Sequence, residues 1–87
     1  MSTFYFDLWD GKKIDFADVG LELSGPEAAF EEAIKGARDM LRDARIRNRD
    51  AFGWAYQVRD ERGAILFTVP FSIAPLDQHY VRPWRVP

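Results

Sequence analysis

The chain has 87 residues, room for one domain and no more. It is 47% hydrophobic and 15% aromatic, with 30% charged residues and a net charge of −2, which supplies a core and excludes both a disordered charged tail and a globally basic nucleic-acid binder. With no cysteine and His79 as its one histidine, it lacks the residues for disulfides, thiol catalysis, thiolate metal sites and the usual zinc or nucleophile-base sets, so no cofactor or metal is expected.

The start of the chain shows no basic region followed by an apolar run and a small-residue cleavage site. No stretch approaches the roughly 18 uninterrupted apolar residues of a membrane span. The expectation is a cytoplasmic protein without membrane association.

The first segment alternates, with Phe4, Phe6 and Leu8 on one face of a strand and Thr3, Tyr5, Asp7 and Trp9 on the other. Asp10-Gly11 suits a tight turn, and Ile14 and Phe16 resume the alternation through Val19, which makes a β-hairpin. Gly20 ends the second strand and Leu21-Glu22-Leu23 leads into Ser24-Gly25-Pro26-Glu27. There Ser24 and Glu27 fit a capping box and Pro26 suits the first helical turn. From here Phe30, Ala33, Ile34, Ala37, Leu41 and Ala44 fall on one apolar arc of a helix running to about Arg45 or Ile46, which the run Arg47 to Asp50 terminates. Gly36 is a weak point of up to about 1 kcal/mol within it.

Phe52, Trp54, Tyr56 and Val58 then share one side of a third strand. Asp60-Glu61-Arg62-Gly63 is turn chemistry, and Ile65, Phe67, Val69 and Phe71 alternate along a fourth strand that Pro70 closes. The expected fold is α+β, a ββ-α-ββ unit with a mainly antiparallel four-stranded sheet and one helix packed on one face. The domain spans 1–71, and 72–87 reads as an irregular Pro/aromatic tail, docked or disordered.

Several of these segments together resemble a known family: Phe4-Tyr5-Phe6-Asp7-Leu8, Asp10-Gly11, Gly20-Leu21-Glu22-Leu23, Glu27-Ala28-Ala29 and Val58-Arg59-Asp60-Glu61-Arg62-Gly63. The order resembles a family of short uncharacterised proteins from rhizobia and related alphaproteobacteria over positions 3 to 71. These are hairpin, cap and turn motifs, so the resemblance implies a shared fold and brings no activity with it. Ser24-Gly25-Pro26 departs from the proline-aspartate helix start common in that family, which changes the cap. A weaker likeness, over Phe4 to Leu41, is to antitoxins of the HicB type. That likeness implies a toxin-binding role with an added DNA-binding element, and no helix-turn-helix or ribbon-helix-helix pattern follows residue 50.

Four groups of residues are candidates for function. Arg38, Arg42, Arg45 and Arg49 are spaced to form one stripe on the helix surface, able to bind phosphates or an acidic partner. The competing reading is a solvated face, because Glu27, Glu31 and Glu32 start the helix and arginines end it, complementing its dipole, while Asp39, Asp43 and Asp50 interleave with the arginines. Asp7, Asp10, Asp15 and Asp18 read as solvated carboxylates around the first hairpin. Tyr5 and Trp9 on the first strand, with Trp54 and Tyr56 on the third, offer either a base-stacking platform with Lys12, Lys13 and Arg59 nearby or core and dimer packing. In the tail, Tyr80 and Trp84 sit among prolines and cations, suited to adding to a sheet edge or filling a partner's groove.

No catalytic set emerges. The functional expectation is a small non-catalytic protein-interaction or regulatory module, partnered by a second copy of itself or another protein. The alternative is nucleic-acid binding, or a HicB-like antitoxin role, through the arginine-rich helix face.

Overall fold

The computed structural model describes residues 1–79. Its elements in chain order are β1 (Ser2–Trp9), β2 (Ile14–Asp15), β3 (Leu21–Leu23), α1 (Pro26–Ile46), β4 (Ala55–Asp60), β5 (Ile65–Pro70) and a 3-10 helix (Phe71–His79). The expected ββ-α-ββ layout holds, with one helix packed against an antiparallel sheet. The sheet has five strands where four were expected. β1 lies beside β4, β4 beside β5, and β2 and β3 share the other edge of β1. Leu21–Leu23, expected to lead into the helix, is the extra strand, with Leu21 opposite Phe4 and Leu23 opposite Ser2. Three residues are too few for an alternation to show.

The first turn forms as its residues require. Gly11 takes a φ of 93°, in the left-handed region, while Asp10 Oδ1 accepts the backbone N–H groups of Lys12 and Lys13. β2 ends at Asp15, well short of Val19, where the backbone of Ala17 is drawn to the side chains of Asp7 on β1 and Arg59 on β4 instead of continuing the ladder. A Cβ at Gly20 would collide with the Thr3 and Tyr5 side chains, so only glycine permits that close approach.

The helix buries the arc its sequence marks out. Ala29, Phe30, Ala33, Ile34 and Ala37 are fully buried in one core with Phe4, Val58, Phe67, Val69 and Phe71, and Leu41 and Ala44 pack at the margin of that core. Its start differs from expectation. Gly25 is the N-cap with Pro26 at the first helical position, and no side chain caps the helix. Ser24 thus sits one residue too early and Glu27 one turn position too soon for a capping box.

Two strand expectations shift. β4 begins at Ala55, because the Trp54 N–H turns back to the Ala51 carbonyl and leaves Phe52 in a loop. Opposite Val58 and Arg59 the β5 register slips by one residue, so Ile65 pairs with Arg59 and is 59% exposed, while Phe67 and Val69 are buried. The 3-10 helix lies on α1, with Phe71 and Ala74 buried. Tyr80 and Trp84 lie outside the described residues. No described helix is long and apolar enough to cross a membrane.

Candidate functional site

At the end of α1 the chain reverses through a Schellman closure. Asn48 adopts a φ of 59°, its N–H donates to the Arg45 carbonyl, and the Arg49 N–H reaches the Ala44 carbonyl at 2.7 Å. Asparagine tolerates this left-handed position better than most residues. The chain then runs back beside the helix. Ala51 is buried in the core, and Asp50 Oδ1 accepts the Phe52 N–H at 2.9 Å. These two contacts hold Phe52 outward, 54% exposed. On the other side the 3-10 helix is tied to α1 by Arg38 Nε donating to the Ala74 carbonyl.

Between these walls lies a groove of about 650 Å³. Arg38, Arg42, Arg45 and Arg49 line it, with Leu41, Ala51, Phe52 and Pro75 as apolar wall and Asp50 as the one acidic residue among the described lining. The sequence placed all four arginines on one helical stripe, and the structure brings all four to one groove. Arg49, however, stands beyond the last helical residue and arrives through the Schellman turn.

The guanidiniums differ in what they already hold. Arg38 is engaged with the 3-10 helix, and Arg42 Nη2 pairs with Asp39 Oδ1 at 2.9 Å, both side chains being largely exposed. Among the described residues neither Arg45 nor Arg49 has a carboxylate partner. An arginine presents up to five N–H donors in a planar fork and keeps its charge at any ordinary pH, so the groove offers positive charge and directed hydrogen bonds beside apolar surface.

A second polar cluster lies on the sheet face turned away from α1. Asp7, expected to face water, is wholly buried. Its Oδ2 accepts Arg59 Nε at 2.6 Å, and its Oδ1 accepts Arg59 Nη2 at 3.2 Å and the Ala17 N–H at 2.8 Å. Arg59 Nη2 also donates to the Ala17 carbonyl, and its guanidinium lies 4.7 Å from the Tyr5 ring centroid and 5.8 Å from that of Phe16. The hydrogen bond to Asp7 pushes the Arg59 pKa up despite partial desolvation, so this cation is permanent. Asp7 and Arg59 bond each other and both backbone groups of Ala17, which fastens that segment to the sheet and makes the cluster a clasp.

Tyr5 therefore belongs to the clasp, and Trp9, 39% exposed at the end of β1, stands on the same face, away from the arginine groove. The sequence reading missed Phe52 as a groove residue. The available signal was Asp50 two residues before it, an Asx turn that ends any strand there.

Fold and site together define a small α+β domain carrying an arginine-lined groove at the end of its one helix. Residues 3–72 match the domain of unknown function DUF6894, and the chain belongs to that family. No curated protein matches the chain, and no solved structure does.

Proposed function

We propose that this is a small cytoplasmic, non-catalytic protein-interaction module whose contact surface is the arginine-lined groove. The observation that carries the reading is the pair Arg45 and Arg49. Two guanidiniums with no carboxylate partner among the described residues line one groove, beside an exposed phenylalanine whose N–H is held by Asp50. Charge beside a rigid aromatic is the composition of an interface centre, where arginine and aromatic residues carry most of the binding energy.

A protein partner is favoured over nucleic acid because carboxylates flank the cations. Asp39 neutralises Arg42, and Asp43 lies 3.4 Å from Arg47, so the helix offers a short cationic spot where a phosphate backbone wants a continuous track. A second copy is a poor occupant of this groove, since facing grooves would set arginines against arginines. The homodimer expected from the sequence is proposed for another surface, the exposed Ile65 and Leu66 of β5, and sedimentation of wild type against Leu66→Lys tests it. The rhizobial attribution and the antitoxin likeness are narrower forms of the same proposal, and the captured partner decides the latter.

Affinity capture from the native cell, with and without nuclease, tests the main reading. A partner that survives nuclease and is lost with Arg45→Glu/Arg49→Glu supports it. Capture that disappears with nuclease, or that the variant retains, contradicts it.

A further inference from the structure

We infer that the groove takes an acidic peptide segment carrying an apolar anchor side chain, its carboxylates on Arg45 and Arg49 and its anchor against Leu41 and Phe52. The inference rests on the contact surface proposed above and names the chemistry of its ligand.

Size is the first consideration. About 650 Å³ is several times what a lone phosphate or carboxylate needs and falls within the range of about 300–1,000 Å³ that accommodates a compact ligand of several groups. The ligand must therefore fill space as well as supply charge.

Charge is the second. Among the described residues four arginines face one carboxylate, and that carboxylate, Asp50, already accepts the Phe52 N–H. Arg38 serves the 3-10 helix and Arg42 holds Asp39, so among the described residues Arg45 and Arg49 are the groove cations with no carboxylate partner. Each guanidinium matches a carboxylate in bidentate geometry, which fixes both position and direction. Arg45 is set by the last turn of α1 and Arg49 by the Arg49–Ala44 backbone bond, so two carboxylates meet donors whose backbones are already held in place.

The wall is the third. Leu41, Ala51, Phe52 and Pro75 give an apolar surface that a purely anionic chain would leave wet. Phe52 is exposed although its backbone is fixed, by its own N–H on Asp50 and by the Trp54 N–H turning back over it to the carbonyl of buried Ala51. A leucine or aromatic side chain placed on it removes apolar area from water on both partners. Anion and anchor on adjacent residues of one extended segment satisfy both halves of the groove.

The test uses the full chain and a fluorescein-labelled peptide, Asp-Glu-Leu-Phe-Glu-Asp, followed by anisotropy and by amide chemical shifts. Controls are the same peptide with Gly-Gly for Leu-Phe, and oligo-dT. Saturable binding is expected, with amide shifts confined to the stretch from Arg42 to Phe52 and to Ala74 beside the Pro75 wall, and with affinity falling as salt rises. Arg45→Glu/Arg49→Glu should weaken it by at least about tenfold, as loss of two charge-assisted contacts requires, and Phe52→Ser by about fivefold or more through the anchor. These positions are exposed, so unchanged thermal unfolding will show that the fold is intact. Equal binding of the glycine peptide, tighter binding of oligo-dT, or shifts elsewhere would overturn the inference. Should the charge-reversal variant lose the cellular partner while the peptide fails to bind, the groove stands and the acidic ligand is wrong; if neither result depends on the arginines, both fall.

Discussion

Asp7 and Arg59 meet diagonally across β1 and β4: Arg59 stands opposite Tyr5, and its Nε reaches two residues along to the fully buried Asp7 carboxylate at 2.6 Å. Fifty-two positions separate them in sequence. Through the N–H and carbonyl of Ala17 the same pair fastens the segment that interrupts the sheet edge between β2 and β3.

Removing one partner of a buried ion pair leaves an uncompensated charge, whereas replacing both by apolar groups is often tolerated. Arg59→Met is therefore expected to destabilise the domain strongly, and Asp7→Leu/Arg59→Met to unfold at a higher temperature than Arg59→Met alone. Calorimetry of the three chains checks the order; a double variant less stable than the single one would show that the pair supplies more than mutual compensation.

Phe30 and Phe52 separate the core from the groove. Phe30→Ala empties a fully buried site and should cost about 3–5 kcal/mol. Phe52→Ala, at a largely exposed ring, should change stability by no more than about 0.5 kcal/mol while impairing binding. Urea unfolding measures both, and a large loss of stability at Phe52 would make it a packing residue.

Gly36 is open to a local test. A Cβ there would stand 3.1 Å from the Tyr56 hydroxyl oxygen, a contact that forces the ring to shift. Alanine gains up to about 1 kcal/mol of helix propensity over glycine, which this contact opposes. Gly36→Ala is expected to be more favourable in a Tyr56→Phe background than in the wild type, and Gly36→Leu should cost about 1–3 kcal/mol by overpacking. Thermal unfolding of the five chains decides it.

Two groups set a pH dependence of opposite sign. Tyr56, whose hydroxyl donates to Met40 Sδ at 3.2 Å, has its pKa raised, chiefly by burial and further by Asp39 and Glu32. A group that holds its proton more tightly when folded contributes stability fully below its unfolded pKa, about 10, and loses it as pH rises through the folded value. Asp10 has its pKa lowered from 3.8 by the N–H groups of Lys13 and Lys12, so its contribution is present above that value and disappears as pH falls through the folded one. Between roughly pH 9 and 11 the thermal midpoint of the wild type should fall more steeply than that of Tyr56→Phe, and in acid Asp10→Asn should flatten the profile. Parallel alkaline profiles would remove Tyr56 from the account.

What the sequence shows and conceals follows from the range of each interaction. The helix, its buried arc from Phe30 to Ala37, both hairpins and the Asp10-Gly11 turn are legible because each is written in neighbouring residues. The Asp7–Arg59 clasp is not, since nothing near Asp7 in the chain announces a cation arriving from β4; a carboxylate in an aromatic strand reads as solvated until the register is known. Phe52 continues the alternation of Trp54 and Tyr56, and the turn from Trp54 to Ala51 overrides that period. The arginine stripe was visible in its spacing, but its partition into engaged Arg38 and Arg42 and, among the described residues, unpaired Arg45 and Arg49 depends on the 3-10 helix and on Asp39.

The central claim is that the arginine groove is where this domain meets another protein. Nuclease-treated affinity capture from the native cell, comparing the wild type with Arg45→Glu/Arg49→Glu, tests it most directly. The account predicts a partner retained by the wild type after nuclease and lost by the folded variant; a partner held equally by both, or one that nuclease removes, contradicts it.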